Sequence, residues 1–371
     1  MKKAVFLLYI IFFSLLLTGC GSIYSNFREV EHLLVIQTMG VDRIDGGIGL
    51  SLVSAADKGS GPIRLSGQGE SITAAIDRVR RRSYEDELFC SHINHIVLGE
   101  ECARQGVDDI IAYICRSPDI RIDVPLYVVQ GGDASDLLME AGSDTIGASE
   151  ILDGIQVSLD GRDDFRSFTA AEVARSLARH GSALICALEY AEATRGSEES
   201  SATVTVSGYA VIRNGALCGF LDRDQAIAAG LLLCDPGISD ITVRGADRKP
   251  VTIEIDRGSS RVQPVTDGEG NLTGLEIFVE VGASVAETGG DPAGSDYLTA
   301  QLEAAVSQRV GKLLSSAKEL GADFLGLGSR IERLMPDEFR EPGSFAELLP
   351  ELEFRVHVLG ELEHTNDIKD A

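Results

Sequence analysis

Tryptophan is absent from these 371 residues, and phenylalanine and tyrosine together make up only 6%. A carbohydrate-stacking platform, which is built on broad aromatic faces, is therefore poorly provided for. Positive charge is scarce as well: 33 Lys and Arg stand against 58 Asp and Glu, a formal net charge of −25. Nucleic-acid binding and adhesion to an anionic membrane by basic attraction both depend on Lys/Arg patches, so the overall balance argues against them. Catalytic signatures are missing too. Nothing matches G-x-x-x-x-G-K-[ST], and the GADFLGLGS stretch lacks the lysine that would reach phosphates. Neither G-x-S-x-G nor H-E-x-x-H occurs. His92 and His95 are three apart in SHINHIV, but the stretch runs into Ile96-Val97-Leu98 and reads as a strand, where residues three apart face opposite sides. Ser91 beside His92 is no triad by adjacency, because triads are assembled in space. The carboxylates are too numerous for any pair to stand out. No enzyme activity, cofactor or metal is expected.

A long apolar run is also lacking. Ala4 to Leu17 is the most apolar stretch, at about 14 residues, whereas a membrane-spanning helix needs about 20. With Lys2 and Lys3 ahead of it, the run has the make-up of a secretion signal. It ends in Leu17-Thr18-Gly19-Cys20, the pattern of a bacterial lipobox, in place of an A-x-A site. Residues 1–19 are therefore expected to be a lipoprotein signal peptide, with Cys20 acylated as the first mature residue. Removing two lysines and no acids brings the mature charge to about −27. Attachment then rests on acyl chains, each buried CH₂ contributing about 0.8 kcal/mol, with two or more chains needed for stable anchoring. Six cysteines remain: Cys90, Cys102, Cys115, Cys186, Cys218 and Cys234. An even count in an exported protein permits three disulfides. Yet spacings are wide, no C-x-x-C occurs, and contexts such as IIAYIC and GLLLC favour buried free thiols.

The body is too long for one ordinary core, so two or three domains are expected. Residues 20–31 read as a lipidated tether. Leu33–Val41 and Ile48–Ala55 form a hairpin about Gly46-Gly47, and Gly/Ser-rich residues 57–71 read as a loop. A helix with Ile72, Ala75, Ile76 and Val79 inside follows, then a strand at His95–Leu98, a helix at Val107–Cys115 and a strand at Val124–Val129. Asp133 is placed to cap a helix through Ala141, and Thr169 with Glu172 makes a capping box. Residues 32–194 thus read as a mixed α/β region, itself divisible into two domains. RGSEESSA at 195–202 is a linker. Residues 203–364 read as an α+β domain: a hairpin about Asn214-Gly215, a helix capped by Asp222 and Gln225, and alternating strands implying an antiparallel sheet. A long amphipathic helix from Leu298 to Leu320 stops at Gly321, and residues 365–371 are a tail. The fold class is mixed α/β and α+β, a multi-domain ectodomain with mixed and antiparallel sheets packed by helices.

Several stretches together resemble the Ger(x)C family, the lipoprotein subunits of bacterial spore germinant receptors. Cys20 is followed by Phe27-Arg28-Glu29-Val30 and then Ile36-Gln37-Thr38-Met39-Gly40-Val41-Asp42, similar to the family's Arg-Glu pair and apolar strand ending in Gly-Ile-Asp. HINHIVLGEECARQGVDDIIAYICRSPDIR and YAVIRNGALCGFLDRDQAIAAGLL look like two further family stretches. AKELGADFLGLGSRI resembles its Ala-Asp-x-x-Gly-x-Gly signature through Asp323, Gly326 and Gly328. The family's Trp-Asp after the cysteine is replaced here by Gly21-Ser22. The resemblance implies a three-domain ectodomain on the outer face of the spore inner membrane. It also implies partnership with two integral-membrane receptor subunits, A-type and B-type, one of them resembling amino-acid transporters, and no catalysis. Arg28, Glu29, Gly40, Asp42, Asp323, Gly326 and Gly328 are the family-motif residues to examine for partner contact. A substrate-binding lipoprotein of a transporter is the alternative, and an anchored hydrolase a third reading.

Overall fold

The computed structural model describes residues 33–55, 61–82, 87–141, 146–161, 166–191, 203–233, 239–288, 294–336 and 344–363. Cys20, Arg28, Glu29, Cys234 and the 195–202 linker lie outside them. Strands β1 (Leu33–Ile44) and β2 (Gly47–Ser54) form the expected hairpin. The segment read as a loop holds a third strand, β3 (Arg64–Gly69), paired antiparallel to β2 at the sheet edge. Its glycines had disguised it. A Cβ on Gly67 would lie 2.6 Å from the Ala75 carbonyl, so bare backbone lets helix α1 (Ile72–Arg82) lie flat on this edge.

Next come β4 (Glu87–Phe89), β5 (His95–Leu98), the helices α2 (Glu100–Gln105) and α3 (Asp108–Arg116), and β6 (Leu126–Val129). The helices α4 (Ala134–Glu140), α5 (Ala148–Gly161) and α6 (Ala170–His180) then lead to β7 (Ser182–Ala191). Every residue of β5 and β6 is buried. That suits parallel strands covered on both faces, and β1, β5, β6 and β7 do run parallel. Thr169 and Glu172 form the expected capping box, and Gly181 stops α6 in the left-handed conformation.

Strands β8 (Thr203–Arg213) and β9 (Ala216–Asp222) turn about Asn214-Gly215, whose φ values of 49° and 77° are those of a tight hairpin turn. These strands follow the expected linker, yet they hydrogen-bond onto β7 and complete a nine-stranded sheet, order β3-β2-β1-β5-β6-β7-β8-β9 with β4 beside β1. The sheet of the first half thus runs on into the second half of the chain.

Helix α7 (Arg223–Leu233) follows, with Asp222 and Gln225 exchanging side-chain and backbone bonds at its start. A second sheet contains β10 (Ser239–Arg244), the long hairpin β11 (Pro250–Thr266) and β12 (Leu272–Thr288), and β13 (Glu353–Glu363). Alternation in β13 had implied an antiparallel partner. It runs parallel to β12, because helix α8 (Ser295–Leu320) carries the chain back along the sheet before β13 begins. At 26 residues α8 is about 39 Å long. It buries Leu298, Leu302, Val306, Val310, Leu313, Leu314 and Ala317. Burying each of its larger side chains contributes about 1.5–3 kcal/mol. Two short helices, α9 (Leu327–Glu332) and α10 (Ser344–Leu348), precede β13.

Cys90, Cys102 and Cys186 are buried free thiols, as expected, and burial pushes Cys102 and Cys186 up to about 12. Cys218 is half-buried. Cys115 departs from the expectation: it is exposed in the last turn of α3, on the wet side of that helix.

Candidate functional site

The motif residues gather around two buried carboxylates. Gly40 and Asp42 are two apart on β1 and so share one face of the sheet. That face carries α4. Asp42 is 6% exposed and takes both leading N–H groups of the helix, Ala134 N to Oδ1 at 2.7 Å and Ser135 N to Oδ2 at 2.8 Å. Asp133, placed by sequence to cap this helix, stands at the N-cap position without making the bond; Asp42 makes it from the neighbouring strand. Burial pushes the Asp42 carboxyl up, and the two N–H bonds pull it back down. Two glycines make room. A Cβ on Gly40 would come within 2.7 Å of Leu138, and one on Gly99 within 2.2 Å of Asp42 Oδ1. Beside this cap a cavity of about 390 Å³ opens between Asp42, Asp133, Ser51, Gln68, Arg78 and Arg82.

Asp323 is 4% exposed and stands just past the left-handed stop at Gly321. Its carboxylate accepts Leu327 N at 2.7 Å and Gly328 N at 2.8 Å, the first two N–H groups of α9. Burial raises its pKa to about 7 against those bonds. Gly326, at φ 64°, turns the chain into α9, and a Cβ on Gly328 would press on Phe345 at 2.8 Å. The helix so fixed joins elements from both halves. Ser329 Oγ meets His180 Nδ1 at 3.2 Å and accepts from Arg179 Nε at 3.0 Å, both on α6. Arg330 donates to Ser260 Oγ on β11 and to the Leu232 carbonyl on α7. Nearby, Arg213 of β8 donates to the Leu320 carbonyl at the end of α8. Sequence reasoning missed His180, Ser329 and Arg330. The polar SRIE run after the glycines was the signal available.

His95 is buried on β5 and its Nε2 pairs with Asp153 Oδ1 of α5 at 2.7 Å; burial lowers its pKa and the Asp153 bond opposes that. His92 packs instead against Phe89, with ring centroids 5.5 Å apart. Among the described residues no three His, Cys, Asp or Glu side chains are grouped to hold a metal, and no helix is long and apolar enough to cross a membrane. The buried carboxylates hold helices in place. They activate no nucleophile in the described residues.

The features on the page are those of a mixed α/β assembly protein: two sheets tied by carboxylate-capped helices. Residues 26–190 match the model of the spore germination protein N-terminal domain, and residues 207–366 match that of the spore germination B3/GerAC-like C-terminal region. Between them the two models cover most of the chain, in order, and the chain belongs to this Ger(x)C family of germinant-receptor C subunits. No curated protein sequence matches it. The solved structure described as the crystal structure of the GerBC protein is similar in fold, with a TM-score of 0.58 at 16% identity, covering 87% of this chain and 96% of that one.

Proposed function

We propose that this chain is a non-catalytic, lipid-anchored subunit of a spore germinant receptor. Cys20 holds it on the outer face of the spore inner membrane, and it works by assembling with the A-type and B-type integral-membrane subunits. The observation that carries this reading is the lipobox placed directly ahead of two germination-family regions in their proper order. The expected result of Cys20→Ala is loss of the protein from the spore membrane fraction. In a strain with this receptor alone, nutrient-triggered germination should fall to the level of the deletion. Membrane retention and normal germination in that variant would sink the proposal.

A further inference from the structure

The end of the large sheet where β1 begins differs from the rest of the surface. Leu33 pairs with Glu87, so the entry of the tether and the start of β4 are adjacent. Arg82, the last residue of α1, is only five residues before Glu87 along the chain and so lies within about 17 Å of it. Arg80 reaches Asp119 at 3.9 Å, which brings the loop after α3 to the same end. Ser54, opposite Ile36, bonds the Ile63 carbonyl, and a Cβ on Gly147 would touch Pro62. Three isoleucines are thereby collected at one end while lying in water: Ile63 at 45% exposure, Ile122 at 53% and Ile146 at 51%.

The charge of this end is also distinct. Arg78, Arg80, Arg81, Arg82, Arg116 and Arg121 are matched by Asp77, Glu85, Asp86, Glu87, Asp119 and Asp123, so the net charge of −25 resides on the rest of the molecule. An anionic bilayer repels that remainder and is neutral toward this end. Guanidinium groups interleaved with exposed isoleucine suit a headgroup layer over acyl chains. About a dozen residues separate Cys20 from Leu33, a reach of at most about 45 Å.

We propose that this end is the membrane-docking face: Ile63, Ile122 and Ile146 enter the interface of an anionic bilayer and Arg80–Arg82 meet its phosphates. The ectodomain then stands with its second sheet away from the lipid. The inference rests on the anchoring of Cys20 proposed above.

Cys115, exposed in the last turn of α3, reports on this face. The full-length lipidated protein is placed on vesicles of equal phosphatidylglycerol and phosphatidylcholine and treated with a membrane-impermeant maleimide, with peptide mapping of the product. Alkylation of Cys115 is expected to be severalfold slower on vesicles than after release by detergent. A cysteine introduced by Leu359→Cys on β13 should react at the same rate in both. The variant Ile63→Ser/Ile122→Ser/Ile146→Ser, altered only at exposed positions, should restore fast labelling while still floating with the vesicles. Equal Cys115 rates on floating protein overturn the docking face and leave the anchor standing. Protein that fails to float removes the anchor and the docking face together. Protection that appears only with the other receptor subunits present assigns the face to protein contact and overturns the proposal.

Discussion

Gly99→Ala is expected to lower stability by about 2–5 kcal/mol, read as a fall in the urea midpoint at unchanged slope. The backbone of Gly99 is ordinary extended chain, so no strain at its own φ/ψ enters. The whole effect comes from the methyl group. It would stand 2.2 Å from Asp42 Oδ1 and 3.3 Å from Ala134 N, the acceptor and donor of the α4 cap. Asp42 is buried with both oxygens engaged, so its side chain has no free rotamer to move to. The bond must break or α4 must shift. A double-mutant cycle separates this from general crowding. In an Asp42→Ala background the carboxylate is gone and Gly99→Ala should cost little more, giving a coupling of about 1–3 kcal/mol. Additive costs would show that Gly99 is needed for some other reason.

Asp323→Asn is expected to change how stability depends on pH. The native pKa of about 7 lies well above the ordinary carboxylate value, so the folded chain holds this proton more tightly than the unfolded one. Stability from Asp323 is full below about pH 4 and is lost as pH rises toward 7, by about 4 kcal/mol in all. Asparagine cannot titrate, and it presents one amide N–H₂ where two backbone donors need oxygens, at a cost of about 1–3 kcal/mol. The variant should therefore trail the parent clearly at pH 4.5 and draw level with it or pass it at pH 7.5. Glu172, Glu100 and Asp222, which their partners hold below the usual range, favour the fold above about pH 4 in both proteins and cancel in the comparison. Parallel stability curves across this range would refute the assignment.

Local signals proved readable where a short stretch settles its own conformation. Asn214-Gly215, Thr169 with Glu172, and Asp222 with Gln225 each act within four residues, and each forms as read. What eluded the sequence was decided by remote partners. Asp133 looks like a cap, but the true acceptor, Asp42, is 92 residues away. Nothing local says that β13 lies parallel, since strand direction depends on where α8 delivers the chain. β3 was hidden because the glycines that admit α1 also look like loop residues. The same holds at the motifs. Asp42 and Asp323 could be named from their strings, whereas Gly99, His180, Ser329 and Arg330 become visible only once strands and helices are brought together.

The parallel pairing of β12 with β13 has a bearing on how the protein is made. Antiparallel neighbours such as β11 and β12 can zip as soon as they leave the ribosome, since only a short turn separates them. β12 must wait for all of α8, α9 and α10 before its second partner exists. Until Glu353–Glu363 emerges, one edge of a 17-residue strand stays bare. A chain stopped short of that last strand therefore remains a sticky intermediate, and completion of synthesis and closure of the second sheet become the same event.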